Sequence, residues 1–235
     1  EIMLFKFKKK TITVDAFTDQ ENVAKTPIAS STKYVPDWFK SMKPTKAYAQ
    51  DGMVVVSSTF KKCPGMIDNL KHSFTIPAWS DFIVKATDNG IVKQFPHSEF
   101  DYGAQYHNDP ETSPIGAFAP KVHVKILSPW YLKEKSGVNF YQSQAFWSFN
   151  ATNSTILIPP GVVNYKYQHS THINMFVTKD LQYDFECGDA LMYLHPMSED
   201  KVVIKTHVVS TEEYNKIKRS TYYPKFTNGY KEMKK

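Results

Sequence analysis

The chain has 235 residues, 41% of them hydrophobic and 22% charged, with a mean hydropathy of −0.44. That is enough apolar material for one sizeable core, and no run of ~18 apolar residues offers a membrane-spanning helix. The formal charge of +6 sits at the ends, where Lys6, Lys8, Lys9 and Lys10 outnumber Glu1, and Lys231, Lys234 and Lys235 outnumber Glu232. The body is close to neutral, and Arg219 is the only arginine. Without planar guanidinium forks to read phosphate or guanine, specific nucleic-acid binding is not expected, and neither is a membrane partner. No apolar stretch of leader type follows the basic start, so no secretory signal is expected in these residues.

Short runs of aromatic and β-branched residues, punctuated by Pro, Gly, Asn and Asp, predict a mainly β chain. Residues 11–17 alternate with period two, and a proline-led turn of helix is expected over 36–42. The Pro- and Lys-containing stretch 43–50 reads as a linker, followed by a β-branched strand at 53–60 and a short helix opened by Pro64. Phe82–Ala86 and Ile91–Phe95 flank Asn89-Gly90, whose tolerance of positive φ predicts a tight hairpin. Strands follow at 121–127, 138–142, 155–158, 172–177, 182–186, 190–194 and 201–208. A helix over 211–219 is opened by Ser210, with Glu213 three residues on in capping-box register. This spacing suits a β-sandwich, jelly roll or barrel. One domain is expected overall: a 1–75 extension packing on a 76–210 core, then a 211–235 helix and basic tail.

Few residues have the spacing of a chemical site. His107-Asn108-Asp109 is an HxD triplet, which could give two ligands of an Fe(II) facial triad within a jelly roll. The third would come from His169, His172, His195 or His207, with His207 favoured and Arg219 placed to hold 2-oxoglutarate. An Fe(II)/2-oxoglutarate oxygenase is therefore the alternative to a non-enzymatic protein with no catalytic residue, metal or cofactor. Pro160-Gly161-Val162-Val163-Asn164 resembles half of a cupin metal motif, but Asn164 stands where a histidine would ligate. His169 and His172, three apart on a strand, would face opposite sides, and His123 and His195 read as single strand residues.

Cys63 and Cys187 have no CxxC partner and are expected as buried free thiols. Asn150 and Asn153 fit glycosylation sequons, although no secretory signal supports their use. No GxSxG elbow, GxGxxG or P-loop pattern occurs. Glu99 with Asp101, and Glu199 with Asp200, read as solvated loop carboxylates. Aromatic residues are abundant, and Trp130, Tyr131 and Trp147, which lie beside turns, are the candidate anchors of an interface. An open, aromatic-lined groove with polar rims would instead suit a glycan.

A set of ordered motifs carries one resemblance. They are Pro36-Asp37-Trp38-Phe39-Lys40, Lys61-Lys62-Cys63-Pro64-Gly65-Met66-Ile67-Asp68, Ile76-Pro77-Ala78-Trp79-Ser80-Asp81, Leu127-Ser128-Pro129-Trp130, Gly137, Pro160-Gly161-Val162-Val163, Asn174-Met175-Phe176, Gly188-Asp189-Ala190-Leu191 and His195-Pro196-Met197-Ser198-Glu199. Over about residues 11–210 the chain resembles an uncharacterised family of tailed-bacteriophage proteins found in marine and cyanobacterial phages. The resemblance implies a cupin-like or jelly-roll core and carries over no catalytic residue and no cofactor. By analogy it implies a structural or accessory component of the capsid, neck, tail or fibre. Such a component would contact other virion proteins or itself, as a homo-oligomer, in the virion or the host cytoplasm.

Overall fold

A computed structural model describes residues 10–87, 90–107, 121–148 and 155–220. In chain order these form β1 (Thr11–Thr18), α1 (Glu21–Ala24), β2 (Ala29–Ser30), α2 (Asp37–Ser41), β3 (Thr45–Gln50), β4 (Met53–Ser58), α3 (Pro64–Lys71), β5 (Phe74–Pro77), β6 (Phe82–Thr87) and β7 (Gly90–Gln94). They continue through β8 (Ala104–His107), β9 (Lys121–Glu134), β10 (Asn139–Gln144), β11 (Gly161–Asn164), β12 (Ser170–Thr178), β13 (Gln182–Phe185), β14 (Ala190–Pro196), β15 (Lys201–Val208) and α4 (Thr211–Arg219). The chain is mainly β, as its composition predicts. No described helix is long and apolar enough to cross a membrane.

One five-stranded sheet runs β12-β9-β1-β15, with β8 beside the first half of β9. Strand β1 pairs in parallel with β15 over eight residues and antiparallel with the second half of β9. The N-terminal segment is thus not a wrapper on a separate core: β1 is an interior strand. Its alternation buries Ile12, Val14, Ala16 and Thr18 on one face.

A second five-stranded sheet runs β11-β10-β14-β5-β2, and a three-stranded one runs β13-β6-β7. Inward side chains of all three meet in one cluster, among them Val14, Ile126 and Ile173 from the first sheet, Ile76, Phe140 and Leu194 from the second, and Phe82, Val84 and Phe185 from the third. The unbroken apolar run Ala190-Leu191-Met192-Tyr193-Leu194 fits a strand buried on both faces. Leu191, Met192 and Leu194 enter this core, while Ala190 and Tyr193 face a second cluster beneath α3, with Met66 and Leu70.

Strand β9 runs on past the expected end at residue 127, straight through Ser128-Pro129. A proline lacks the N–H that a ladder needs, and it is tolerated here because the pairing is broken at that point. Tyr131 opposes Ser170 and Leu127 opposes His172, so the register shifts across Ser128–Trp130. On the other edge, β8 stops pairing at Ile126 and β1 begins at Tyr131.

Other boundaries differ in smaller ways. The strand expected at 155–158 is reduced to a bridge between Leu157 and Phe176. The 43–50 linker is strand β3, and the β6–β7 hairpin forms with Gly90 at φ 116. At α4 the Ser210 hydroxyl accepts from Glu213 N at 3.2 Å, the bond its sequence position predicts. Asp109, the Asn89 turn residue, the Asn150 and Asn153 sequons, and the basic ends at 1–9 and 221–235 lie outside the described residues.

Candidate functional site

The expected interface anchors separate into two kinds. Trp130 is 0% exposed and belongs to the central core, and Tyr131 is 9% exposed. The bulge around Pro129 turns Trp130 inward, and α4 covers Tyr131: the Tyr214 ring meets it edge-on at 5.1 Å, and the Tyr214 hydroxyl donates to Pro129 O at 2.9 Å. Neither residue is available to a partner, so their expected role is corrected to packing. Trp147 alone keeps a half-buried position beside a groove.

Of the expected metal residues, His107 and the favoured His207 do not converge. The backbone of His107 on β8 lies opposite His123, whereas His207 on β15 aligns through Phe17 with Tyr131. Those β9 positions are eight residues apart, roughly 25 Å at ~3.4 Å per residue, beyond the span of one ion's ligands. His207 instead holds Asp15 Oδ1 at 2.8 Å through Nε2 and stacks on Phe17 at 5.0 Å. Among the described residues, no three His, Cys, Asp or Glu side chains group as a metal would require.

The other candidates have structural partners. His169 Nδ1 pairs with Ser220 Oγ at 3.2 Å, and His123 stacks on Phe176. Arg219 is exposed at the end of α4. Asn164 clasps β10 to β11 by donating to Gly137 O at 2.8 Å and Asn139 Oδ1 at 2.9 Å. Asp101 accepts from Gly103 N and pairs with Lys93, and Asp200 accepts from Lys10 N. The cysteines are free but not buried: Cys63 is half-buried before Pro64, and Cys187 is exposed in the turn before Gly188.

What stands out was not foreseen from the sequence. Strands β3 and β4 form a hairpin whose two-residue turn, Asp51-Gly52, has φ values of 50 and 74. That geometry matches the twist of paired strands, and Asp-Gly is its sequence signal. Every β3 residue is exposed, and Met53, Val54 and Val56 are 67%, 76% and 65% exposed. Ala47 opposes Val56 and Ala49 opposes Val54, so one face carries four apolar side chains flanked by Thr45 and Ser58, with no charge. The other face carries Lys46 over the Tyr48 ring at 5.9 Å, together with Gln50, Met53, Val55 and Ser57.

The hairpin base is anchored. Thr59 donates through its hydroxyl to Lys43 O at 2.6 Å and through its N–H to Pro44 O at 3.1 Å, and Lys61 Nζ reaches Lys40 O at 2.7 Å. Next to it, Phe60 is 62% exposed and lies 6.3 Å from Trp147, which meets Phe146 edge-on at 5.3 Å.

These rings lead into the groove. On the outer face of the second sheet, α3 covers the β14–β5 end and leaves the β10–β11 end open. The opening, about 310 Å³, is lined by Asn69, Tyr141, Ser143, Gln144, Phe146, Trp147, Ile158, Pro160 and Tyr193. Tyr141 and Ser143 share a face because they are two apart on β10, and Tyr141 pairs with His195. Ser143 Oγ lies 3.0 Å from His195 Nε2. Burial holds the His195 pKa below the usual imidazole value, so the ring is neutral at pH 7. Burial pushes the Tyr193 phenol up to about 12, partly offset by its 2.7 Å bond to Ser148, and it stays protonated. A hydroxyl beside a neutral imidazole is part of a nucleophilic dyad, but no acid orients His195 among the described hydrogen bonds. The arrangement is better suited to binding than to acyl transfer.

No protein-family model matches the chain, and a search of curated proteins returns no match.

Proposed function

We propose that this is a non-enzymatic component of a tailed-phage particle, a jelly-roll-like β body that docks on a neighbouring subunit through its β3–β4 hairpin. The observation that carries this reading is the exposed, uncharged face of Ala47, Ala49, Val54 and Val56, which no element among the described residues covers. Contiguous apolar surface of this kind is costly in water and marks contact sites. Burying a valine-sized side chain fully contributes ~1.5–3 kcal/mol, so a few of them offset part of the entropy of association. The resemblance to phage proteins supports a particle as the setting, and the partner is another particle protein or a second copy. The oxygenase alternative is not carried forward, because His107 and His207 lie too far apart to share an ion.

The test is a mass-spectrometric inventory of purified particles alongside infected-cell lysate, with the wild-type chain and with Val54→Glu/Val56→Glu. The reading expects wild-type protein in the particles and the folded double variant left in the lysate. Wild-type protein that occurs in cells and never in particles overturns it.

A further inference from the structure

The open half of the second sheet has a chemical character that subunit docking does not use. None of the nine described residues lining the groove is an Asp, Glu, Lys or Arg, in a chain of which 22% is charged. Its walls are the Tyr141, Phe146 and Trp147 rings, with Pro160 and Ile158 at the far side, and its polar groups are all neutral. Tyr141 is 41% exposed, so its ring presents π surface to the groove. The Ser143–His195 pair offers one donor and one acceptor in either tautomer. If Nε2 accepts, Nδ1–H donates and the Ser143 lone pairs accept. If Nε2–H donates, Ser143 O–H donates and Nδ1 accepts. The volume of about 310 Å³ falls at the small end of ligand sites, which run ~300–1,000 Å³.

A ligand matched to these walls is uncharged, has flat apolar faces and carries hydroxyls at its edges. Among the described lining residues an anion would meet no cation, and a cation would meet no carboxylate. A purely aliphatic ligand would desolvate the Asn69 amide and the remaining hydrogen-bonding capacity of Ser143, which is costly. Pyranose rings have the required pattern: axial C–H groups stack on electron-rich ring faces, and equatorial hydroxyls reach polar side chains at the rim. We infer that the groove lined by Tyr141, Ser143 and Trp147, with Ser143 held by His195, is a binding site for a neutral saccharide. This inference does not rest on hairpin docking, because the two surfaces share no residue.

The full-length chain is titrated with cellobiose, maltose and N,N′-diacetylchitobiose, following tryptophan fluorescence and saturation-transfer NMR. At least one of the three is expected to perturb the tryptophan signal and receive saturation. Tyr141→Ala and Trp147→Phe are then each expected to weaken it at least about tenfold, the equivalent of ~1.4 kcal/mol. Tyr141 is exposed enough for its variant to keep the fold, which an unchanged melting temperature verifies, and Val54→Glu/Val56→Glu should bind as wild type does. The inference is overturned if none of the three binds at about 10 mM, ten times a ~1 mM Kd. It is also overturned if binding survives both groove variants, or if a sulfated disaccharide binds more tightly than every neutral one.

Discussion

Glu134 ends β9 as a buried carboxylate, 4% exposed, and holds the turn into β10 together. Its carboxylate accepts from Gly137 N at 2.6 Å and Val138 N at 3.0 Å, and from both the N–H and the hydroxyl of Ser136. Burial works to raise its pKa, but these donors win, and the carboxyl lies below the usual glutamate value. Replacement by Gln keeps the shape and removes the charge. Gln keeps one acceptor oxygen and presents an NH2 donor on the other side. With the oxygen toward Gly137 and Val138, those two bonds, which contribute ~1.5–3 kcal/mol to a charged acceptor against ~0.5–1.5 to a neutral one, each lose about 1 kcal/mol, and the Ser136 N–H loses its acceptor. Ser136 is exposed and water recovers part of that loss, so Glu134→Gln should cost about 2–4 kcal/mol at pH 7.

Because the folded pKa is depressed, the stabilisation is fully present above the unfolded value of ~4.3 and is lost as pH falls through the folded value. Once wild-type Glu134 is protonated it is neutral with a donor on one side, as Gln is, and the difference between the two proteins narrows. Urea denaturation at pH 7 should show a midpoint lowered by about 1 M. The gap should shrink below pH ~4. A penalty under ~0.5 kcal/mol at pH 7, or one of equal size at pH 7 and in acid, refutes the reasoning.

The two fully packed tryptophans give a second, comparative prediction. Trp79 donates its indole N–H to Phe100 O at 2.9 Å, whereas the buried Trp130 N–H has no acceptor among the described residues. Trp79→Phe orphans a buried carbonyl, so chemical denaturation should show it to be the costlier change by about 1–3 kcal/mol. Tyr214→Phe removes the bond that ties α4 to Pro129 O and should lower stability by about 1 kcal/mol. Faster amide exchange over 211–219 than elsewhere is the accompanying sign. The Asp15–His207 pair is more than a third exposed on both sides, so Asp15→Asn should change stability by less than ~1 kcal/mol.

Local chemistry made much of this fold legible. Period-two alternation located β1, the paired runs around Asn89-Gly90 located β6 and β7, and Ser210 with Glu213 located the start of α4. The failures have physical causes. Pro129 reads as a strand end, because nothing in the sequence says that a bulge will excuse its missing N–H. Trp130 and Tyr131 read as turn aromatics for the same reason, and the burial of Tyr131 depends on a helix some eighty residues away. The hairpin was within reach. Asp51-Gly52 between runs of alternating residues is a strong local signal, masked by Pro44 and the surrounding lysines, which gave 43–50 the look of a linker. The groove was not: Tyr141, Ser143, Trp147 and His195 come from two strands and a loop, and only the β10–β14 register brings them together.

Placing a photo-activated cross-linking amino acid at Val54 measures the central claim most directly, with the same residue at Val208, an exposed valine on another sheet, as reference. After irradiation of infected cells, the account predicts a discrete adduct from Val54 to one particle protein or to a second copy, and none of matching yield from Val208. Equal diffuse labelling from both positions, with no discrete adduct, contradicts it.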